Sequence, residues 1–274
     1  MIDNFIQYLR NLKGYSENTI RAYESDLRAF ARWSQAQETP LRWSTITRQD
    51  IDNYISMLGQ SGHKATSTNR ALAAISSLYR YFQREGMLHE NPCKYESRRK
   101  QEERFPNTIP TGELRQAYAN AQGTAKLMIG ILASTGMRIS ELCSLRWQDI
   151  NFQEGIAKIS GKGNKQRLAY LPQEQLRQLQ LYTTNSNRVG YIFGLTQRDS
   201  RYILYHALKP YSRAAQLSPH AIRHTYATEL AKHGANVATI ATLLGHTDIR
   251  TTQKYIDMAQ IAPKNQSINL NPIN

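Results

Sequence analysis

The chain has 274 residues, 40% of them hydrophobic, which is room for one large domain or two modest ones and argues against wholesale disorder. Lys and Arg number 35 against 21 acidic residues; the net charge of +14 points to a polyanionic partner, nucleic acid first. Two cysteines, Cys93 and Cys143, exclude a disulfide framework and a Cys/His metal site, and the lack of a signal-type or membrane-length apolar run predicts a cytoplasmic protein with no membrane partner. The positive charge is spread along the chain: 15 basic residues against 10 acidic up to residue 100, then 20 against 11. This distribution favours two nucleic-acid-contacting parts over one basic tail.

The first 98 residues read as an all-α, four-helix unit. Ser16 is placed to cap a helix that buries Ile20, Tyr23, Leu27, Phe30 and Ala31, with Arg21, Ser25, Arg28 and Arg32 on its other side. Thr47 with Asp50 predicts a capping box opening a third helix, which Gly59 or Gly62 ends. A fourth helix over 66–85 stops at Gly86 and buries Leu72, Ile75, Leu78, Tyr79 and Phe82. Arg70, Arg80 and Arg84 lie elsewhere on it. A solvated face is the plain reading of any one of these arginines, but two basic stripes in one unit favour phosphate contact.

Residues 99–110, charged and then punctuated by proline, predict a linker to a second domain over 111–274. Thr111 is expected to cap its first helix, and TAKLMIGILAS forms an apolar helix ending near Thr135-Gly136. Three short strands follow, marked by Ile150 and Phe152, by Ile156 and Ile159, and by Leu168, Tyr170 and Leu171. The turn from Gly161 to Lys165 joins the last two. Helices return over 173–182, over 198–216, and over the run from Pro219 to Met258, before a polar tail. The whole is a mainly α second domain with a small antiparallel sheet.

Phosphoryl transfer places extra negative charge on a five-coordinate phosphorus, so it needs cations on the non-bridging oxygens, a nucleophile, and a proton donor for the leaving oxygen. Arginine suits the first task because its planar fork grips two oxygens and stays charged. His220 and Arg223 stand three apart at the start of a helix, on one face, although such a pair alone is weak evidence. Further on come LLGH, ending at His246, and TTQKY, ending at Tyr255.

That stretch resembles the C-terminal signature of the tyrosine recombinase (phage-integrase-like) family, and its Xer-type members in particular: H-x-x-R-H, L-x-x-L-L-G-H, then T-T-x-x-Y. TGMRISEL around Arg138 resembles the family's first-arginine segment, and GKGNK its lysine-bearing turn, with Lys162 between two glycines. The N-terminal unit is similar to the family's SAM-like core-binding domain. The resemblance implies a site-specific DNA recombinase in which Tyr255 forms a 3′-phosphotyrosyl bond. That bond conserves the phosphodiester's energy, so no cofactor is implied. It further implies that Arg138 and Arg223 clamp the phosphate, Lys162 protonates the leaving 5′-oxygen, and His220 positions the phosphate and takes the tyrosine proton. His246 donates to a non-bridging oxygen, and Glu141 steadies Arg138. Lys165 and Arg167 join the DNA-contact set, with a solvated hairpin tip as their alternative. His224 is expected to be structural and Tyr226 packed.

The partners implied are a double-stranded DNA site, further copies of the chain assembling to a tetramer on DNA, and a second recombinase or activator. The polar tail predicts a monomer off DNA. A chromosome or plasmid dimer resolvase fits best, partly because no arm-binding domain precedes the helical unit. A mobile-element integrase, a type IB topoisomerase and a catalytically retired DNA-binding regulator are the rivals.

Overall fold

The computed structural model describes residues 1–94, 106–161, 166–182, 189–245 and 250–261. The expected linker through residue 105, Lys162, Lys165, His246 and the tail beyond 261 therefore lie outside the described residues. The chain forms two compact units, Met1–Glu103 and Arg104–Asn274. No described helix is long and apolar enough to cross a membrane.

The first unit holds α1 (Ile2–Asn11), α2 (Glu17–Gln35), α3 (Arg48–Gln60) and α4 (Ala65–Arg84). Ser16 accepts a hydrogen bond from the Thr19 amide at 3.3 Å, which starts α2. Thr47 and Asp50 form a full capping box on α3. That helix runs through Gly59, and the left-handed glycine beyond its end is Gly62. Apolar side chains recurring at helical spacing meet in one core: Phe5, Leu9, Ile20, Leu27, Phe30, Ile51, Ile75, Leu78 and Phe82 are all essentially inaccessible. Each such burial stabilises the unit by roughly 1.5–3 kcal/mol before entropy is subtracted.

The second unit is built around α6 (Gly123–Thr135), whose residues Leu127 to Ala133 are all buried. Against it pack α5 (Thr111–Asn120), α8 (Gln173–Tyr182), α9 (Gln197–Leu208) and α10 (Pro219–Lys232). The cap of α5 is Pro110, not Thr111, which is already helical. Helix α9 stops well short of the expected residue 216. Pro210 follows it, and proline has no N–H with which to continue a helical ladder. The expected run from Pro219 breaks into α10, α11 (Val237–Leu244) and α12 (Arg250–Ile261). Asn236 caps α11 through a hydrogen bond from the Thr239 amide. Between α6 and the sheet lies the short α7 (Ile139–Ser144).

The antiparallel sheet has the order β1 (Ile150–Asn151), β2 (Ile156–Ser160), β3 (Gln166–Tyr170). Phe152 lies outside β1. Leu168 and Tyr170, which mark the third strand, are each 63% exposed. The register pairs Ile159 with Arg167 and Ala157 with Ala169, so the inward face of β3 carries Arg167 and Ala169. Side chains alternate along a strand, and the polar Arg167 therefore shares the buried face.

Gly136, the cap of α6, adopts φ +60°, and a Cβ placed there would lie 2.5 Å from the Tyr226 ring and 2.9 Å from Leu244. Gly136→Ala should therefore cost about 2–4 kcal/mol, combining backbone strain with overpacking. Gly234→Ala, at φ +85° with open space around it, should cost only the backbone part, about 1–2 kcal/mol. Denaturant unfolding followed by fluorescence of the buried Trp147 measures both. Equal costs would refute the packing contribution.

Candidate active site

Helices α10 and α12, the residue preceding α7 and strand β3 supply the sequence-predicted residues that are described: His220, Arg223, Tyr255, Arg138 and Arg167. Arg223 sits on α10, a helix buried nearly all round, and is itself 2% exposed. Its guanidinium donates from Nη1 to the Gly136 carbonyl at 2.7 Å and from Nη2 to the Leu244 carbonyl at 2.8 Å. Both acceptors stand at helix C-termini, of α6 and α11, where carbonyls lack helical partners and the helix dipole is negative. Burial, and next the neighbouring Arg138, lower its pKa to about 10, which still leaves it protonated at neutral pH.

Arg138 precedes α7 and is half-buried. Its backbone N–H donates to Glu141 Oε2 at 2.9 Å, and its Nη1 donates to Oε1 at 2.8 Å. Its Nη2 reaches the Gly245 carbonyl at 3.4 Å. Glu141 is buried, and its Oε2 also accepts from Arg167 Nη2 at 2.9 Å. One carboxylate thus ties the start of α7 to β3. Gly245, at φ +64°, leaves room for Arg167: a Cβ there would lie 3.1 Å from Arg167 Cδ.

Arg167 is not a solvated hairpin tip. Its side chain is 13% exposed, and its Nε and Nη1 are buried without a hydrogen-bond partner among the described residues. Burial is the largest influence lowering its pKa; Arg138 adds to this and Glu141 opposes it. Strand alternation was the signal for its inward turn, since Arg167 precedes the buried Ala169 by two residues.

Tyr255 projects from α12 into a small core with Tyr226, Leu230, Ile240 and Leu244, and is 2% exposed. Burial raises its pKa, while Arg223 and then Arg138 pull it down. The Tyr255 hydroxyl lies 2.7 Å from His224 Nδ1. His220, on the same face of α10, stacks on His224 with ring centroids 6.0 Å apart. The tyrosine's histidine partner here is therefore His224 rather than the expected His220, because α12 approaches α10 one turn further along. Partial burial, then Arg223, Arg138 and Arg201, hold the His220 pKa below the usual value. Tyr226 is packed, 7% exposed, against Gly136.

In the first unit, Arg21, Arg28, Arg32, Arg70, Arg80 and Arg84 are all exposed. Arg28 pairs with Glu24 and Asp3, Arg70 with Asp26, and Arg84 lies over the Tyr8 ring at 4.8 Å. Arg21, Arg32 and Arg80 have no ion pair among the described residues. Such surface pairs contribute only about 0–1 kcal/mol, so exchanging a carboxylate for a phosphate costs little.

A model of the phage integrase family matches residues 107–260, and one of the phage integrase N-terminal SAM-like domain matches residues 2–86. The chain is 32% identical to tyrosine recombinase XerD of Haemophilus influenzae, over 95% of this chain and 94% of that protein. It is 30% identical to tyrosine recombinase XerD of Pseudomonas aeruginosa, over 95% and 93%. The fold is similar to that of XerH site-specific recombinase bound to palindromic difH substrate (TM-score 0.76, 18% identity, 95% of this chain and 82% of that one). It also resembles a lambda integrase dimer bound to a COC′ core site (TM-score 0.74, 19% identity, 98% of both chains).

Glu141→Gln removes the carboxylate that Arg138 and Arg167 share and leaves the buried Arg167 uncompensated. It should destabilise the protein by about 3–5 kcal/mol, as breaking a buried pair from one side does. Equilibrium denaturation checks this, and an unchanged midpoint would show that the ion pairs are incidental.

Proposed function

The chain belongs to the phage integrase family of tyrosine recombinases, and from that premise we propose that Tyr255 cleaves DNA by attacking a phosphodiester held by Arg138 and Arg223. The observation that supports this assignment is the convergence of residues from separated motifs: Arg223 donates to the Leu244 carbonyl, Arg138 to the adjoining Gly245 carbonyl, and Tyr255 packs in the same cluster as Leu244. The phenol oxygen bonds to phosphorus, the P–O5′ bond breaks, and the strand is held as a 3′-phosphotyrosyl ester. Religation is the reverse step, with a 5′-hydroxyl as nucleophile.

Arg223 is committed through two of its nitrogens to carbonyls, so it supplies mainly fixed positive charge, stronger in a dry site than in water. Arg138, half-exposed, is the arginine placed to meet a non-bridging oxygen. His220 faces solvent beside them and positions the phosphate. Lys162 is assigned as the acid to the 5′-oxygen, with Lys165 as the alternative, and His246 as a further donor. These three roles rest on the family pattern.

Recombination by such a chain requires paired sites. We assign it to a tetramer assembled on two duplexes, with the exposed arginines of the first unit and Lys165 of the second as DNA contacts. End-to-end similarity to XerD proteins favours a dimer-resolution role in the cytoplasm, with a second recombinase or activator as helper.

The test uses a duplex enriched from a random-sequence pool by binding to the full chain, nicked near its centre so that the cleaved fragment escapes and the covalent complex accumulates. Tyr255→Phe should bind this duplex normally and trap none, because only the hydroxyl is lost. Arg138→Ala should slow trapping by about 10²–10³-fold. Arg223→Ala is the poorer probe, since it also leaves two carbonyls without their donor. Trapping that persists in Tyr255→Phe would overturn the nucleophile assignment. A substrate with sulfur at the bridging 5′ position, a better leaving group, should rescue Lys162→Ala and not Arg138→Ala. Rescue of Lys165→Ala instead would move the acid to that residue.

A further inference from the structure

We propose that His224 is the base that accepts the Tyr255 proton, an assignment that rests on Tyr255 being the nucleophile. His224 Nδ1 stands 2.7 Å from the Tyr255 hydroxyl, within the reach that direct proton transfer requires. The contact is held from both sides. His224 follows Arg223, whose guanidinium is pinned to the Gly136 and Leu244 carbonyls, so this turn of α10 cannot drift. Tyr255 is buried against Tyr226, Leu230, Ile240 and Leu244.

The phenol needs a base. Burial raises its pKa, so at neutral pH it remains protonated and is a weak nucleophile. Among the described residues, the Glu141 carboxylate cannot serve, because both its oxygens are engaged by Arg138 and Arg167. His220 stacks on His224 and lies one turn further from α12.

The protons and electrons balance. His224 in its Nε2–H form receives the phenolic proton on Nδ1 as the tyrosine oxygen bonds to phosphorus. The electron pair of the P–O5′ bond leaves with O5′, which takes a proton from its own acid. In religation the imidazolium returns its proton to the departing phenolate. A second positive charge beside Arg223 would be costly alone, but it forms as the phosphorane gains a negative charge, so the two compensate.

The experiment compares full-length variants on the nicked duplex described above. His224→Gln keeps a hydrogen-bonding side chain but removes the base. It should bind the duplex as the parent does and trap it about 10²–10⁴-fold more slowly. Replacing Tyr255 in that variant with 3,5-difluorotyrosine, a more acidic phenol, should restore at least about tenfold of the loss, because the nucleophile ionises unaided. A parental trapping rate in His224→Gln, or no recovery with the fluorinated phenol, would overturn the assignment while leaving Tyr255 as nucleophile. Trapping that survives Tyr255→Phe would instead remove the reading on which it rests. Nitrogen NMR of the unsubstituted chain gives a result independent of any variant's folding. The proposal requires His224 Nδ1 to be unprotonated and accepting at neutral pH, and a proton found on Nδ1 would refute it.

Discussion

A single buried cation organises the second unit. Arg223 lies almost wholly out of water, where an unpaired charge would cost several kcal/mol. It is stabilised by two backbone carbonyls at the ends of α6 and α11, both short contacts and both at the negative pole of a helix. Those carbonyls are available because each helix is stopped by a left-handed glycine, Gly136 or Gly245. The same two glycines let Tyr226, Leu244 and Arg167 approach closely. Loss of that geometry would release the arginine, the two helix ends and the wall against which Tyr255 packs.

Charge is deliberately unbalanced around this point. Arg138, Arg167 and Arg223 face one carboxylate, Glu141, which leaves two positive charges in excess among these four residues. Burial first, with Arg138 adding to it, lowers the pKa of both Arg167 and Arg223. An excess of this kind is poorly suited to stability alone and well suited to a phosphate whose charge grows in the transition state. The phenol of Tyr255 sits in the same field: burial raises its pKa, and Arg223 and then Arg138 oppose that rise. A base at hydrogen-bonding distance completes the set.

Much of this was legible in the sequence, and the parts that were not share a cause. The helical unit followed from apolar periodicity and from caps at Ser16 and Thr47, which are local signals. Arg138, Arg223 and Tyr255 stood out because their motifs occur in one order. The partners of Arg223 did not, since a backbone carbonyl leaves no mark on residue identity. His224 reads as structural because the three-residue spacing singles out His220. Which of two stacked rings meets the tyrosine depends on where α12 crosses α10, a tertiary matter. Arg167 read as surface because arginine usually is, although alternation with Ala169 placed it inward. Helix α9 was drawn too long because its polar pattern outlasts the proline that ends it.

The most direct test of the account is to identify the residue that DNA becomes attached to. The covalent complex formed by the unsubstituted chain can be digested with nuclease and protease and the nucleotide-bearing peptide sequenced by mass spectrometry. The account predicts a phosphotyrosyl adduct on Tyr255, the phenol that meets His224. An adduct on another tyrosine, such as the packed Tyr226, or on a serine, would contradict it.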